Sequence, residues 1–366
     1  MPVPQQRDLE VARDALTTWL GDRLAADNLR LSDITGPAFT GFSNETLLFD
    51  AEWTAHGEPH RQGMVARVKP TGYTIFLESV FEEQYRVMEA LGAHSDVPVP
   101  PVIGYESDES VLGAPFFVME KIDGRIPEDN PPYHTDGWVT EIAPYDRETM
   151  WWSGIDQMAR VHHVDWQALG LDFLDDAKRG HPGIGQQLAY YGEYLDWAAE
   201  GRPQPVTEAA LEWLRANRPR PDGPTGLCWG DSRIGNMIFD SNRCVAVLDW
   251  EMVTLGPWEQ DLAWWLFLDR HHSEGLGVPR LAGFPSHEET VARYELRMGR
   301  SAEHLDYYEV FAGFRFAVVM IRVIAMAVAF ELLPPDTDMG TNNIVTRLLA
   351  AKLGLPAPGP EPLPAV

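Results

Sequence analysis

Leu9, Ala12, Leu16, Trp19 and Leu20 recur at three- and four-residue steps ahead of Gly21, a spacing that predicts an amphipathic helix. The pattern then turns sheet-like. Residues 39–49 and 63–68 read as strands, with the turn-forming run His56-Gly57-Glu58-Pro59 between them. Helical spacing returns over residues 76–91 and stops at Gly92, a residue type suited to a helix C-terminus. Past the proline-rich 97–101, the apolar runs 101–105 and 115–119 complete a mainly antiparallel sheet, so a first domain ends near Gly124. Beyond it, residues 127–133 are loop-like and 147–217 mostly helical, with interruptions at Pro203 and Pro205. Two short strands, 226–229 and 244–248, lie inside this helical half, and helices resume from Asp261. The expected organisation is a sheet-rich unit over residues 1–124 with a leading helix, and a helical unit over 125–366. Residues 314–330 are apolar but carry Arg315 and Arg322 and fall short of the ~20 residues of a membrane span, so a buried helix is expected there. The proline-rich 355–366 reads as a frayed end.

Composition narrows the picture. At 45% hydrophobic and 23% charged, the 366-residue chain is ordinary for a globular protein, which excludes a disordered, collagen-like or coiled-coil chain. The net charge of −26, with no basic stripe, argues against nucleic acid as a partner. Acidity suits a cationic substrate, but a solvated surface that keeps the protein soluble is the commoner reason for it. Two cysteines, Cys228 and Cys244, and an opening without a basic region followed by an apolar run lead to the expectation of a reduced, cytoplasmic protein with no membrane partner. Oligomeric state is not legible.

Candidate chemistry concentrates in Trp229-Gly230-Asp231-Ser232-Arg233-Ile234-Gly235-Asn236, followed after a strand, turn and strand by Val247-Leu248-Asp249-Trp250-Glu251. Phosphoryl transfer needs one carboxylate to orient the attacking hydroxyl and accept its proton, and a separate carboxylate and amide to hold Mg²⁺ against nucleotide phosphates. Asp231 stands five residues before Asn236, so one loop can aim the first at an acceptor and return the second to a metal. Asp249 can reach the same ion from the neighbouring strand end. Taken singly, each is also an ordinary turn residue of a β-hairpin.

These residues resemble the aminoglycoside phosphotransferase and choline kinase superfamily, relatives of protein kinases whose catalytic loop runs His-Gly-Asp, four residues, then Asn. The resemblance spans about residues 31–333. It is closest to a branch that includes phosphotransferases of actinobacteria and the kinase-like domain of acyl-CoA dehydrogenase family proteins. Leu248-Asp249-Trp250-Glu251, Leu255-Gly256-Pro257 and Asp261-Leu262-Ala263-Trp264 look like that branch's next block. The resemblance implies an α+β, two-lobed, protein-kinase-like fold, with a small antiparallel-sheet N-terminal lobe and a larger, mainly helical C-terminal lobe. It implies Asp231 as catalytic base, Asn236 and Asp249 as magnesium ligands, and Asp261 as an acid bracing the loop. The usual loop His is Trp229 here. By the same resemblance Gly41, Ser43 and Asn44 lie on a hairpin that covers ATP phosphates, and Arg67 stands where kinases carry the phosphate-binding Lys. Lys69 shares its strand face, and a solvated strand cation is the other reading of either. The helix position that pairs with this cation in kinases is Gln84, after Glu82 and Glu83. Phe117-Val118-Met119-Glu120 resembles the segment whose backbone binds adenine; an edge strand of the core explains the same residues.

ATP and Mg²⁺ are the expected cofactors, and a small-molecule hydroxyl, cationic compounds included, is the expected acceptor. Gln187, Tyr190, Tyr191, Glu193 and Asp196 are candidates to line its pocket, or form a solvated helix face. The alternative function is a catalytically weak nucleotide-binding regulatory protein of the same fold. His162-His163 and His271-His272 are adjacent on helical patterns and point about 100° apart, which suits packing better than a shared metal. Trp151-Trp152 and Trp264-Trp265 read as helix packing. Ser153 and Ser232 lack the pattern of a hydrolase elbow.

Overall fold

In the computed structural model, which describes residues 7–36 and 44–360, the first helix, α1 (Leu9–Arg23), is capped by the Asp8 side chain and buries Ala12, Leu16, Trp19 and Leu20. It packs on a five-stranded antiparallel sheet of order β1-β2-β3-β5-β4, formed by β1 (Asp27–Leu31), β2 (Glu45–Ala55), β3 (Glu58–Val68), β4 (Val102–Glu106) and β5 (Phe116–Glu120). The expected strand over 39–49 begins at Glu45; Gly41 and Ser43 lie outside the described residues, as does the tail from 361. His56 and Gly57 both have positive φ, 50° and 83°, the backbone of a tight two-residue hairpin turn, so Glu58 and Pro59 already belong to β3.

Alternation divides the sheet's two faces. Leu47, Phe49, Met64, Ala66, Val68, Phe116 and Val118 face α1 and share a core with Leu16 and Trp19. The opposite parity of β3 carries Val65, Arg67 and, just past the strand, Lys69 to the other face. Phe117 there packs on Phe81 of α2 (Phe81–His94). That helix starts five residues later than the apolar spacing suggested, because residues 76–80 leave the helical path and dock on the second half of the chain. Tyr194 Oη donates to the Ile75 carbonyl, and Arg179 and Lys178 bond Glu78. Gly92 is an interior residue and Ser95 is the cap.

After a one-turn helix, α3 (Glu109–Leu112), ahead of β5, and another, α4 (Trp138–Glu141), beyond it, the chain is mainly helical. The helices are α5 (Pro144–His162), α6 (Ile184–Ala199), α7 (Pro205–Ala216), α8 (Glu259–His272), α9 (His287–Met298), α10 (Leu305–Ala329) and α11 (Ile344–Leu353). Between α7 and α8 lie two small antiparallel pairs: β6 (Thr225–Cys228) with β9 (Thr254–Pro257), and β7 (Met237–Asp240) with β8 (Arg243–Val247). The strands expected at 226–229 and 244–248 are therefore real; the second pairs with the strand expected just before its turn, and the first with β9, which the apolar pattern had not marked. By length and composition α10 could cross a membrane; 72% of its most apolar window is buried inside the protein, where it packs with α6, α7, α8 and α11.

Candidate active site

Beyond β6 the chain turns through residues 229–236. Gly230 has φ +95°, and a Cβ there would lie 2.0 Å from the Met252 carbonyl oxygen, so no other residue fits. Asp261, fully buried in the first turn of α8, holds this turn: its Oδ2 accepts from the Trp229 N–H (2.6 Å) and its Oδ1 from the Gly230 N–H (3.0 Å). Ser232 Oγ donates to the Asp261 carbonyl (2.7 Å). At the end of α5, His162 brings Nε2 to 3.0 Å from Asp261 Oδ2 and Nδ1 to 2.7 Å from Tyr294 Oη. A carboxylate only accepts, so Nε2 carries the proton in that contact. Trp229 donates its indole N–H to the Leu248 carbonyl (2.8 Å), while the Leu248 N–H reaches the Asn236 carbonyl (2.8 Å). Trp229 thus ties the loop to the strand end that carries Asp249.

Asp231 is gripped by three donors. Asn236 Nδ2 reaches Oδ2 at 2.6 Å, Trp264 Nε1 reaches Oδ1 at 2.8 Å, and Arg233 Nε lies 3.2 and 3.1 Å from the two oxygens. Arg233 also donates to the Asp129 carboxylate. Burial works against its charge, but Asp129 and Asp231 outweigh it and push the guanidinium's pKa up. Asp249 adopts a left-handed backbone, φ +60°, directly after β8. Its Oδ1 is buried and has no hydrogen-bond partner. Burial pushes its carboxyl up; the Arg67 charge opposes this, the Asp231 charge adds to it, and Arg233 and a hydrogen bond with Glu251 oppose it.

A buried acceptor without a donor is costly unless something fills the place. Mg²⁺ is a hard cation that takes oxygen ligands. Asp249 Oδ1 is an oxygen of that kind, and Asn236, with its amide nitrogen spent on Asp231, has a side-chain carbonyl oxygen to offer. The residues present therefore fit the ion.

Arg67 is the cation that acts most strongly on Asp249, ahead of Arg233; its Nη1 donates to Thr46 Oγ1 (3.1 Å), across the ladder from it. Among the described residues it makes no ion pair, and Gln84 is buried on α2. Lys69 is half-buried one residue past β3, with its N–H on the Pro115 carbonyl. Asn44 is buried and donates from Nδ2 to Glu251 Oε2 (3.1 Å), joining the start of β2 to the segment after Asp249. The Glu120 N–H is committed to the Pro101 carbonyl, so at this residue the main chain offers adenine its carbonyl only. Of the α6 candidates, Gln187 and Tyr191 face inward, with Gln187 donating to Thr254 Oγ1 (2.6 Å), Tyr190 is partly buried, and Glu193 and Asp196 are exposed.

Sequence reasoning missed Arg233, Asp129 and Trp264. Arg233 stood inside the motif, two residues from Asp231, and a charge so placed was the available signal. Asp129 gave none, since it lies 104 residues from Arg233 and reads as loop; Trp264, 33 residues from Asp231, stood in the block that resembles the family but read as helix packing. Of the adjacent histidines, His162 braces Asp261, and His271 and His272 sit at the end of α8 with pKa values lowered to about 3, first by burial.

The site thus joins a buried loop held by a helix acid, a carboxylate on the next strand end with one orphaned oxygen, and a sheet cation whose charge acts on that carboxylate. The chain belongs to the phosphotransferase enzyme family, which it matches over residues 39–294. It is 29% identical over 333 residues to a probable acyl-CoA dehydrogenase of Arabidopsis thaliana, covering 82% of this chain and 38% of that protein. The chain thus spans under two fifths of that relative's length. A solved structure of a candidate aminoglycoside phosphotransferase from Ralstonia eutropha JMP134 superposes with a TM-score of 0.67 at 26% identity, covering 93% of this chain and 96% of that one. The ternary complex of aminoglycoside phosphotransferase APH(4)-Ia with AMP-PNP and hygromycin B has the same fold, with a TM-score of 0.54 at 15% identity and 92% and 98% coverage. The fold is protein-kinase-like and α+β.

Proposed function

We propose that the chain is an ATP- and Mg²⁺-dependent kinase that transfers the γ-phosphoryl group to the hydroxyl of a small molecule. The observation that carries this reading is the pairing of a fully gripped carboxylate, Asp231, with an orphaned one, Asp249 Oδ1, on two strand ends tied through Leu248. Asp231 orients the acceptor hydroxyl and takes its proton as the oxygen attacks the γ-phosphorus. The new O–P bond forms while the bond from that phosphorus to the bridging oxygen breaks, leaving ADP. Arg67 meets the phosphate oxygens, and Asn236 and Asp249 hold the metal. Mg²⁺, when bound, neutralises the charge that builds on the phosphates. At long range, a net charge of −26 favours a cationic acceptor over an anionic one, and a cytoplasmic place with no membrane or nucleic-acid partner goes with this reading.

Calorimetry of ATP binding with Mg²⁺ and with EDTA tests the metal assignment. Binding is expected to weaken sharply in EDTA, and equal affinity in both removes Asn236 and Asp249 as ligands. Steady ATP consumption on adding one member of a panel of aminoglycosides, amino alcohols and hydroxy acids identifies the acceptor. The GTP analogue of the same titration settles nucleotide preference.

A further inference from the structure

We propose that Arg315, on α10, is a positioning residue for Asp231, an inference that rests on the reading of Asp231 as the catalytic carboxylate. Arg315 is 0% exposed, yet among the described residues it has no carboxylate partner. Its Nη2 donates to the Gly230 carbonyl (3.2 Å), while Nε and Nη1 are buried without partners. Three aromatic rings enclose the guanidinium: Trp264 with its centroid at 4.8 Å, Tyr191 at 5.3 Å and Phe311 at 5.5 Å. Seven residues on, along the same side of α10, Arg322 is also buried but finds Glu200 and the Thr74 carbonyl.

A guanidinium without a counter-ion is an expensive way to fill the space between α6, α8 and α10, where an aliphatic side chain would pack without desolvating a charge. What it provides is a grip on both ends of one step of the chain. Gly230 carries a positive φ that leaves its carbonyl free to reorient, and the Arg315 N–H fixes that carbonyl immediately ahead of Asp231. Trp264 lies between the guanidinium and the carboxylate: its face meets Arg315 and its indole N–H meets Asp231 Oδ1 at 2.8 Å. A cation against the ring draws its electrons and strengthens that N–H as a donor. Arg315 therefore sets where Asp231 points without touching it.

The test compares Arg315→Met, Arg315→Lys and Trp264→Phe with Asp231→Asn in the full chain. Three quantities are read: MgATP affinity by calorimetry, hydrolysis of MgATP with water as acceptor, and the Trp264 indole N–H resonance, assigned by its absence in Trp264→Phe. Arg315→Met is expected to lower hydrolysis roughly tenfold or more, since small misplacements of reacting groups cost up to about a hundredfold. MgATP affinity should stay within about twofold, and the Trp264 resonance should move. Arg315→Lys, which restores the charge without the fork, should recover part of both losses. Trp264→Phe should slow hydrolysis with affinity kept, and adding Arg315→Met to it should cost less than in the wild type, because the two act in series. A folded Arg315→Met protein with unchanged hydrolysis and an unmoved resonance overturns the proposal. If Arg315→Met does not fold, wild-type hydrolysis by Trp264→Phe overturns it instead. Full-rate hydrolysis by Asp231→Asn defeats the catalytic reading separately, whatever the Arg315 variants show.

Discussion

Asp231 and Asp249 are both carboxylates on strand ends, one gripped by three donors and one with a buried oxygen left over, and substitution should separate the roles proposed for them. Asp231→Asn keeps the shape and loses the negative charge and the base, so transfer should fall by ~10²–10⁴-fold with ATP affinity and thermal midpoint nearly unchanged. Asp249→Asn should lower both the rate and the Mg²⁺-dependent affinity, because Oδ1 is the atom left for the ion. Two ordinary turn residues would instead give small stability losses and equal turnover. Arg67→Ala should weaken nucleotide binding roughly ten- to a hundredfold, the worth of a charge-assisted contact. Lys69→Ala should cost less, since it is Arg67 whose charge is felt at Asp249; titration of ATP into both variants checks the order. At this scale the sequence was informative where the chemistry is local. Five residues of spacing carried Asp231 and Asn236, and the next strand end carried Asp249. Trp264 and Asp129 reach Asp231 and its Arg233 partner only through the tertiary fold, so no spacing could reveal them.

Elements were legible in proportion to how regular their burial is. α1 shows one stripe of Ala12, Leu16, Trp19 and Leu20 against polar neighbours, and its existence follows directly. The exposed Asp27–Leu31 of β1 buries too little for a pattern to form, and β9, though mostly buried, is only four residues long, although each completes a pair. In α2 the apolar spacing of 76–91 was misleading for a physical reason: Phe76 and Leu77 are apolar because they pack against the α6–α10 core, outside the helix. The joint between β6 and α8 depends on one side chain. Asp261→Asn leaves a single acceptor oxygen for three N–H donors, those of Trp229, Gly230 and His162, and a hydrogen bond to a charged group is worth roughly 1.5–3 kcal/mol. A fall of that order in unfolding free energy, with transfer slowed by a loosened 229–236 loop, is expected from urea denaturation and turnover. A variant of unchanged stability would show that His162 and Tyr294 do not depend on that carboxylate to hold the loop.

Across the whole molecule, folding should respond to pH through buried groups around the end of α8 whose pKa values lie far from their ordinary range. His271 and His272 have pKa values near 3, against 6.5 for the free side chain, because burial penalises the imidazolium; next, for His271, comes the neighbouring His272, and for His272, Arg233. Between about pH 6.5 and 3 the unfolded chain takes up protons at these two positions that the folded chain refuses, so acid favours the unfolded state. Their contribution is fully present above pH 6.5 and is lost as pH falls through that window. Asp269 works in the same direction at lower pH: burial opposes its charge, but His134, His287 and Arg280 more than offset it and hold its carboxyl far below the usual range. Its stabilisation is present above the unfolded value of 3.8 and disappears as the folded carboxylate is protonated. Urea midpoints measured at pH 8, 7, 6 and 5 should therefore hold steady and then decline. Replacing both His271 and His272 by Gln should flatten the decline between pH 7 and 5, even if the midpoint at pH 8 drops from imperfect packing. An unaltered slope in that double variant would mean that the two imidazoles are protonated in the folded protein, and that the buried end of α8 is more open to water than its packing against Tyr133 and Phe316 indicates.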